Sequence, residues 1–319
     1  MPDVEPAKSR RVFVILNTAA AGFLNHPVRE ICGLITSRFA AHGIFAELVL
    51  AFGGSLEKHV RDAIADGTVQ SVIAGGGDGT IGAIATALVD TGIPLGILPL
   101  GRLNHFARDL RIPATLEEAL EIITAGHIAT VDTGEVSGRI FVNNSSLGAY
   151  PLFVIDRERR RRHRGVQRPL ALLLAGFTLL RLFPLRRFSV RSAEWSEICR
   201  TPFLFIGNNR YHLELSALGR RDRLDGGELW IYIARQQTRL QLVWFTLKTL
   251  LGLTSPASDL RVFHAGSVEI GSRAGSLEVA TDGEVARMRP PLHYRIRRAS
   301  LRVYVPSGPA QTPAPAIGE

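Results

Sequence analysis

Cysteine is nearly missing: the 319 residues contain only Cys32 and Cys199. Without closely spaced pairs there is neither a CxxC metal site nor a disulfide framework, and a reducing cytosolic compartment is expected. No apolar run approaches the ~20 residues of a membrane-crossing helix. The longest, Leu170 to Leu180, is clamped between Arg168 and Arg181. Asp3, Glu5, Lys8, Arg10 and Arg11 lead into the short run Val12 to Leu16, which lacks the apolar stretch of a signal peptide, so secretion is not expected. GxxxxGK(S/T), GxSxG and HExxH are absent, which removes support for P-loop, serine-hydrolase and zinc-protease chemistry. His26, His59, His212, His264 and His293 show no metal-ligand spacing. Acid is short relative to base. Asp and Glu number 29 against 38 Lys and Arg, and the resulting +9 points to an anionic partner. Hydrophobic residues at 46% and charged residues at 21% are globular values, which exclude disorder and coiled coil for the whole chain.

What is present begins with alternation. Val12 to Leu16 is a continuous β-branched, apolar run of the kind buried in a parallel sheet. Val28, Ile31, Ile35 and Phe39 then recur at helical spacing between Pro27 and Gly43. Strand 45–50, helix 56–65, strand 69–74, helix 81–89 and strand 94–98 continue the series, and Thr115 with Glu118 forms a capping-box pattern for a helix ending before Gly126. This βαβαβαβ order implies a parallel sheet with helices on its faces, with ligands outside the carboxyl ends of the strands. Past about Thr130 the pattern changes to short strands near 140–142, 203–206, 229–234, 268–270, 277–279 and 301–305, separated by Gly, Asn and Asp turns. A second, mainly antiparallel domain is predicted there, with helical insertions at roughly 157–185 and 237–252, and a Pro- and Ala-rich tail from Pro306 that is expected to be disordered.

The chemistry-bearing motif is Gly75-Gly76-Gly77-Asp78-Gly79-Thr80, set between a strand and a helix. Glycines let backbone N–H groups approach an anion closely, and the helix start adds donors and partial positive charge. A tight strand-to-helix turn needs glycine anyway, so the glycines alone leave both readings open. Asp78 tips the choice: a carboxylate among phosphate-binding amides repels an anion unless it holds a metal or takes a proton, which points to a Mg2+-nucleotide site. Gly77-x-Gly79-x-x-Gly82 also fits the dinucleotide pattern GxGxxG, but the acidic residue expected ~20 positions on is missing, and Arg102 stands in that region.

This motif follows Asn17-Thr-Ala-Ala-Ala-Gly22 and precedes Pro99-Leu-Gly-Arg-Leu-Asn-His-Phe-Ala-Arg108. Val142-Asn-Asn-Ser-Ser-Leu-Gly148, Gly207-Asn-Asn209, Leu224-Asp-Gly-Gly227 and Thr281-Asp-Gly-Glu284 come after it. The ordered set, over roughly residues 11–305, resembles the diacylglycerol kinase catalytic-domain family, which includes bacterial lipid kinases and sphingosine kinases and is distantly related to NAD kinases. The resemblance implies an α/β N-terminal domain with a parallel sheet at 1–130, a C-terminal antiparallel β-sandwich lipid-substrate domain at 131–305, and a cleft between them. It implies transfer of the γ-phosphate of ATP, with Mg2+, to a diacylglycerol-like lipid hydroxyl. Asn17, Thr18, Gly75, Gly76, Gly77, Gly79, Thr80, Gly101, Arg102 and Asn104 would then surround the ATP phosphates, and Asp78 would organise the metal. Asp282 and Glu284 would face the phosphates, with Glu284 as the base that takes the hydroxyl proton; an exposed Asp-Gly hairpin is the other reading of that pair.

Several positions depart from the family pattern. Gly82 and Ala83 stand where many relatives carry Asn-Glu, Arg102 replaces a usual Thr, and Asp225 is a single carboxylate where relatives often have two. These leave open a nucleotide- or lipid-binding pseudokinase, and a kinase of a soluble alcohol is the other alternative. Arg157, Arg159 to Arg162, Arg164 and Arg168 run into the apolar segment 170–180. Cationic heads beside an apolar helix suit an anionic membrane surface, so a cytoplasmic protein held peripherally at the inner membrane face is expected. A lipid substrate is the implied partner, a homodimer is compatible, and nucleic acid is not expected, because the Arg run lacks interleaved aromatics.

Overall fold

The computed structural model describes residues 10–24, 27–52, 55–65, 67–148, 185–212, 220–221, 223–235 and 260–307, with 238, 241 and 244 singly. The Arg157 to Arg168 run, nearly all of both helical insertions and the tail beyond 307 lie outside them. Contacts divide the chain into two compact units, 1–131 with 300–319, and 132–299.

In the first unit, β1 (Arg10–Asn17), α1 (Val28–Ala41), β2 (Ile44–Ala51), α2 (Leu56–Ala65), β3 (Ser71–Gly76), α3 (Asp78–Leu88) and β4 (Leu95–Pro99) alternate in the expected order. They are followed by the short α4 (His105–Asp109) and α5 (Leu116–Ala125). The four strands pair in parallel in the order β2-β1-β3-β4. Val12 to Leu16 and all of β3 and β4 are buried, because a parallel strand covered by helices on both faces needs a continuous apolar run. Helix α5 closes at Gly126, whose positive φ of 80° suits glycine at a helix end. Thr115 is its N-cap, but its hydroxyl donates to the Glu118 carboxylate and accepts from no backbone N–H among the described residues.

The second unit holds two antiparallel sheets. β5 (Ile128–Val136) enters it and hairpins into β6 (Arg139–Phe141). Next come β7 (Asn144–Gly148), β8 (Arg186–Arg191), β9 (Ser196–Thr201), β10 (Phe203–Asn208), β11 (Leu229–Ala234), β12 (Leu260–Ala265), β13 (Ser267–Ser272), β14 (Leu277–Thr281), β15 (Glu284–Met288) and β16 (Leu292–Tyr304). One sheet is ordered β12-β11-β10-β7-β14-β15, and the other runs β16-β13-β8-β9. Their inner faces share one core, in which Phe188, Val190, Ile270 and Tyr294 meet Leu147, Ile206, Ile231 and Val279. That is a β-sandwich, built by alternation of inward apolar and outward polar residues.

The sequence placed 301–305 in the second domain. In the structure β16 continues past Ala299, at φ 49°, and its end belongs to the first unit, where Val303 pairs in parallel with Leu95 of β4. Tyr304 there is buried and hydrogen-bonds Ser71 at 2.7 Å. Among the described residues no helix is long and apolar enough to cross a membrane.

Candidate functional site

Strand β3 ends in glycine and turns at once into α3. Gly77, with extended backbone, is the N-cap, and no side chain caps the helix. The first intrahelical bond runs from Ile81 N–H to the Gly77 carbonyl at 3.0 Å, so the N–H groups of Asp78, Gly79 and Thr80 precede the ladder. The helix thus begins three residues earlier than the expected Ile81, and the motif supplies its first turn. Such a helix start at the end of a buried glycine strand presents N–H donors and a positive dipole end, which suit an anion.

Packing explains the glycines. A Cβ on Gly101 would lie 2.4 Å from Gly77 Cα and 2.5 Å from Asn104 Oδ1, so the loops after β3 and β4 meet backbone to backbone. A Cβ on Gly76 would fall 2.5 Å from the Thr80 side chain. Thr80 is buried and its hydroxyl accepts from Asn17 Nδ2 at 2.8 Å, while Asn17 Oδ1 accepts from Ala19 N–H at 3.1 Å. Asn104, at φ 49°, donates to the carbonyls of Pro99 and Gly101, each at 3.0 Å, and accepts from Gly101 N–H at the same distance. Three loops are therefore cross-linked around the start of α3. Asn17, Gly75, Gly76, Gly77, Thr80, Gly101 and Asn104 come together as expected, but the asparagine and threonine side chains are spent on shaping the loops.

Asp78 sits in the first turn of α3, and its Oδ1 accepts from Phe106 N–H of α4 at 3.3 Å. Oδ2 has no protein partner among the described residues. Thr18 is tied elsewhere, its N–H donating to Ala51 at the end of β2 at 3.1 Å. Arg102 is exposed on the loop before α4. Gly82 and Ala83 are half-buried within α3.

The second unit gathers the later motifs. Asp282 occupies the β14–β15 turn at φ 49°. Its Oδ2 accepts from Val142 N–H at 2.7 Å, and its Oδ1 accepts from Asn143 and Asn144 N–H at 2.8 and 3.0 Å. Burial pushes its pKa up to about 6, against the pull of those three donors and of Arg221. The expectation that Asp282 faces phosphates thus meets a carboxylate engaged on both oxygens, which moulds the loop between β6 and β7. Glu284 is exposed and pairs with Arg139 Nη2 at 2.7 Å, while Arg139 Nε donates to Thr281 at 2.7 Å.

Two residues that carried no sequence signal knit this region. Arg221 is buried and donates to the carbonyls of Val142 (2.8 Å) and Asn208 (3.0 Å) and to Asn143 Oδ1 (2.8 Å). Asp132 is buried and accepts from Gly227 N–H at 2.7 Å and from Ala299 N–H at 2.9 Å. Asn208 Nδ2 donates to the carbonyls of Asp132 and Val142, both at 2.9 Å. Hence the VNN, GNN, LDGG and TDGE segments, scattered over 140 positions of sequence, converge on one polar network. Such buried groups are stabilising when every member is paired. Asn209 Oδ1 is buried and has no hydrogen-bond partner among the described residues, beside Gly226, where a Cβ would stand 2.6 Å away.

Residues 11–136 match the family description "Diacylglycerol kinase catalytic domain". A protein of Enterobacter sp. (strain 638) named "Probable lipid kinase YegS-like" is 41% identical over 142 residues, which are 43% of this chain and 45% of that protein. One of the same name from Yersinia pestis (strain Pestoides F) is 41% identical over 101 residues, 30% of this chain and 34% of the relative. These matches span less than half the length of the curated relatives. A crystal structure of a diacylglycerol kinase from Bacillus anthracis str. Sterne aligns with a TM-score of 0.69 at 20% identity, over 96% of this chain and all of that one. Residues 11–136 are thus similar to the diacylglycerol kinase catalytic domain, and the chain has the fold of a solved diacylglycerol kinase.

Proposed function

We propose that the protein transfers the γ-phosphoryl group of ATP to a lipid hydroxyl, diacylglycerol-like in kind, at a membrane surface. The observation that carries this reading is the open first turn of α3. Its N–H donors emerge at the end of β3, braced by Gly77 against Gly101 and by Asn17 against Thr80. Phosphoryl transfer asks little covalent chemistry of a protein and much positioning and charge neutralisation, which such a turn supplies. The names of the curated relatives favour a lipid acceptor.

Mg2+ fits this donor set. No group of three His, Cys, Asp or Glu occurs among the described residues, so a divalent ion would have one protein carboxylate, Asp78, and complete its shell with phosphate oxygens and water. Bound there, it would neutralise charge on the transferring phosphoryl group. Asp78 Oδ2 would face the ion while Oδ1 stays anchored on α4. Glu284 is the base in this reading: Arg139 occupies Oε2, and Oε1 would take the hydroxyl proton. Asp282 acts through the loop it holds, as a positioning residue.

The test is turnover with ATP, Mg2+ and liposomes of a mixed lipid extract. Wild type is expected to form a phosphorylated lipid, and Asp78→Ala to lose at least about a hundredfold in rate, the scale of removing one preorganised electrostatic partner. Undiminished activity in Asp78→Ala would remove Asp78 from the mechanism. Activity on a soluble alcohol that liposomes do not raise would transfer the assignment to another substrate class. Nucleotide binding without turnover would make the chain a pseudokinase.

A further inference from the structure

The outer face of the β16-β13-β8-β9 sheet carries charge that the fold does not use. In the β8–β9 pairing Arg187 stands directly opposite Arg200, both exposed. Like charges directly opposite on one face are destabilising. Among the described residues neither forms an ion pair with a carboxylate, and exposed Arg191 on the same face stands opposite Glu269 of β13 without an ion pair. Glu197 of β9, one residue out of phase, turns to Arg261 instead. Toward the middle of the sheet, Arg191, His293 and Arg295 line a groove of about 590 Å³ with Ser137, Ser192 and Ser267. Of its two carboxylates, Glu135 is held by Arg295 and Arg297 at 2.8 and 2.7 Å, while Glu269 lies 3.9 Å from His293 and opposite Arg191 in the strand register. Beside the arginine pair, on the edge strand, Ile198 is 62% exposed.

An arginine on an edge strand can serve simply to block strand-to-strand aggregation. That accounts for Arg200 but not for Arg187, whose strand is paired on both sides. We propose that this face docks on a bilayer of anionic phospholipid. The arginine pair and Arg191 would meet headgroup phosphates, Ile198 would enter the interfacial layer, and the serine-lined groove would accept a headgroup. A lipid bilayer fits better than a folded polyanion because the charge is spread over a sheet face with an exposed apolar residue at its rim. The choice of a lipid surface rests on the lipid-kinase reading, which the proposal deepens by naming the face that approaches the membrane.

The test is co-sedimentation of the full chain, without ATP, with vesicles of phosphatidylglycerol and phosphatidylcholine, against phosphatidylcholine alone. Wild type is expected to bind only the anionic vesicles and to release as salt is raised. The double variant Arg187→Gln/Arg200→Gln should bind roughly tenfold or more weakly, at about one cationic contact's worth per arginine. Arg191→Gln alone should show a smaller loss of the same sign, which keeps the claim testable if the double variant folds poorly. Wild-type binding by both variants would overturn the proposal, as would equal binding to neutral vesicles or no vesicle binding by wild type. Turnover on detergent-dispersed lipid is measured in parallel. The variants should retain it, and its absence in wild type alongside intact vesicle binding would reject the kinase reading while leaving the docking face standing.

Discussion

Single residues divide here into those whose type announced their place and those that only the fold reveals. Asp78 was legible because a carboxylate amid three glycines and a helix start has few uses, and the structure leaves one of its oxygens facing away from the protein's own donors. Gly101 was legible as part of a motif, but its reason is a close approach between loops that no spacing rule encodes. Gly101→Ala is expected to force those loops apart, lowering stability by about 1 to 3 kcal/mol as overpacked sites do. It should also weaken binding of an ATP analogue, and calorimetry that finds wild-type affinity would separate this contact from the nucleotide site. Arg221 and Asp132 had no signal at all, since a lone charged residue between turns reads as surface until its partners are known. Arg221→Met would take the guanidinium donor from the Asn208 carbonyl and Asn143 Oδ1 inside the second unit and leave the Val142 carbonyl with Asn208 Nδ2 alone. A loss of about 3 kcal/mol or more is expected from denaturant unfolding, and a change below 1 kcal/mol would contradict the network's structural weight. Glu135 yields a pH effect. Burial alone would raise its pKa, but Arg295 and Arg297 prevail and hold it below the usual 4.5. A depressed folded pKa means that its contribution is complete above that value and is lost as pH falls further through the folded one. Glu135→Gln should therefore flatten the acid limb of the stability curve, and an identical limb in variant and wild type would refute the pairing.

Elements were read well where one periodicity ruled and poorly where two met. The four parallel strands and their helices were visible because burial on both faces demands unbroken apolar runs such as Val12 to Leu16. Helix α3 starts earlier than its apolar pattern suggests, because glycine and aspartate at its first turn carry no hydrophobic signal, though they serve the site. Past Ala125, β5, β7, β8, β9, β12 and β15 were not seen. Strands such as Arg186–Arg191 bury only alternate residues, here Phe188 and Val190, and three arginines and Ser189 fill the remainder. The same alternation puts Arg187 and Arg191 on the outer face, where they become the proposed docking surface. Strand β16 is the element whose two halves serve different units, and the sequence around Ala299 contains neither Gly nor Pro to mark the change.

At the scale of the whole molecule, the α/β unit holds the glycine turn at the start of α3, and the sandwich holds the β14–β15 hairpin and a basic sheet face. The excess of 38 basic over 29 acidic residues fits a protein that handles phosphate at an anionic surface. Motif order made the resemblance readable before any fold was known, because several landmarks, those at Asn17, Gly75 and Pro99 among them, sit at the ends of strands. The sandwich network was not readable in that way: its members are far apart in sequence and meet only once the sheets close. The central claim is that the γ-phosphoryl group of ATP ends on a lipid. It is tested most directly by giving the purified chain Mg2+, mixed-lipid liposomes and ATP labelled at either the γ or the α phosphate, then extracting the lipid. The account predicts label in the organic phase from γ-labelled ATP only, and none from either when Asp78 is replaced by Ala. An organic phase free of label with folded wild-type protein, or label arriving from the α position, would contradict it.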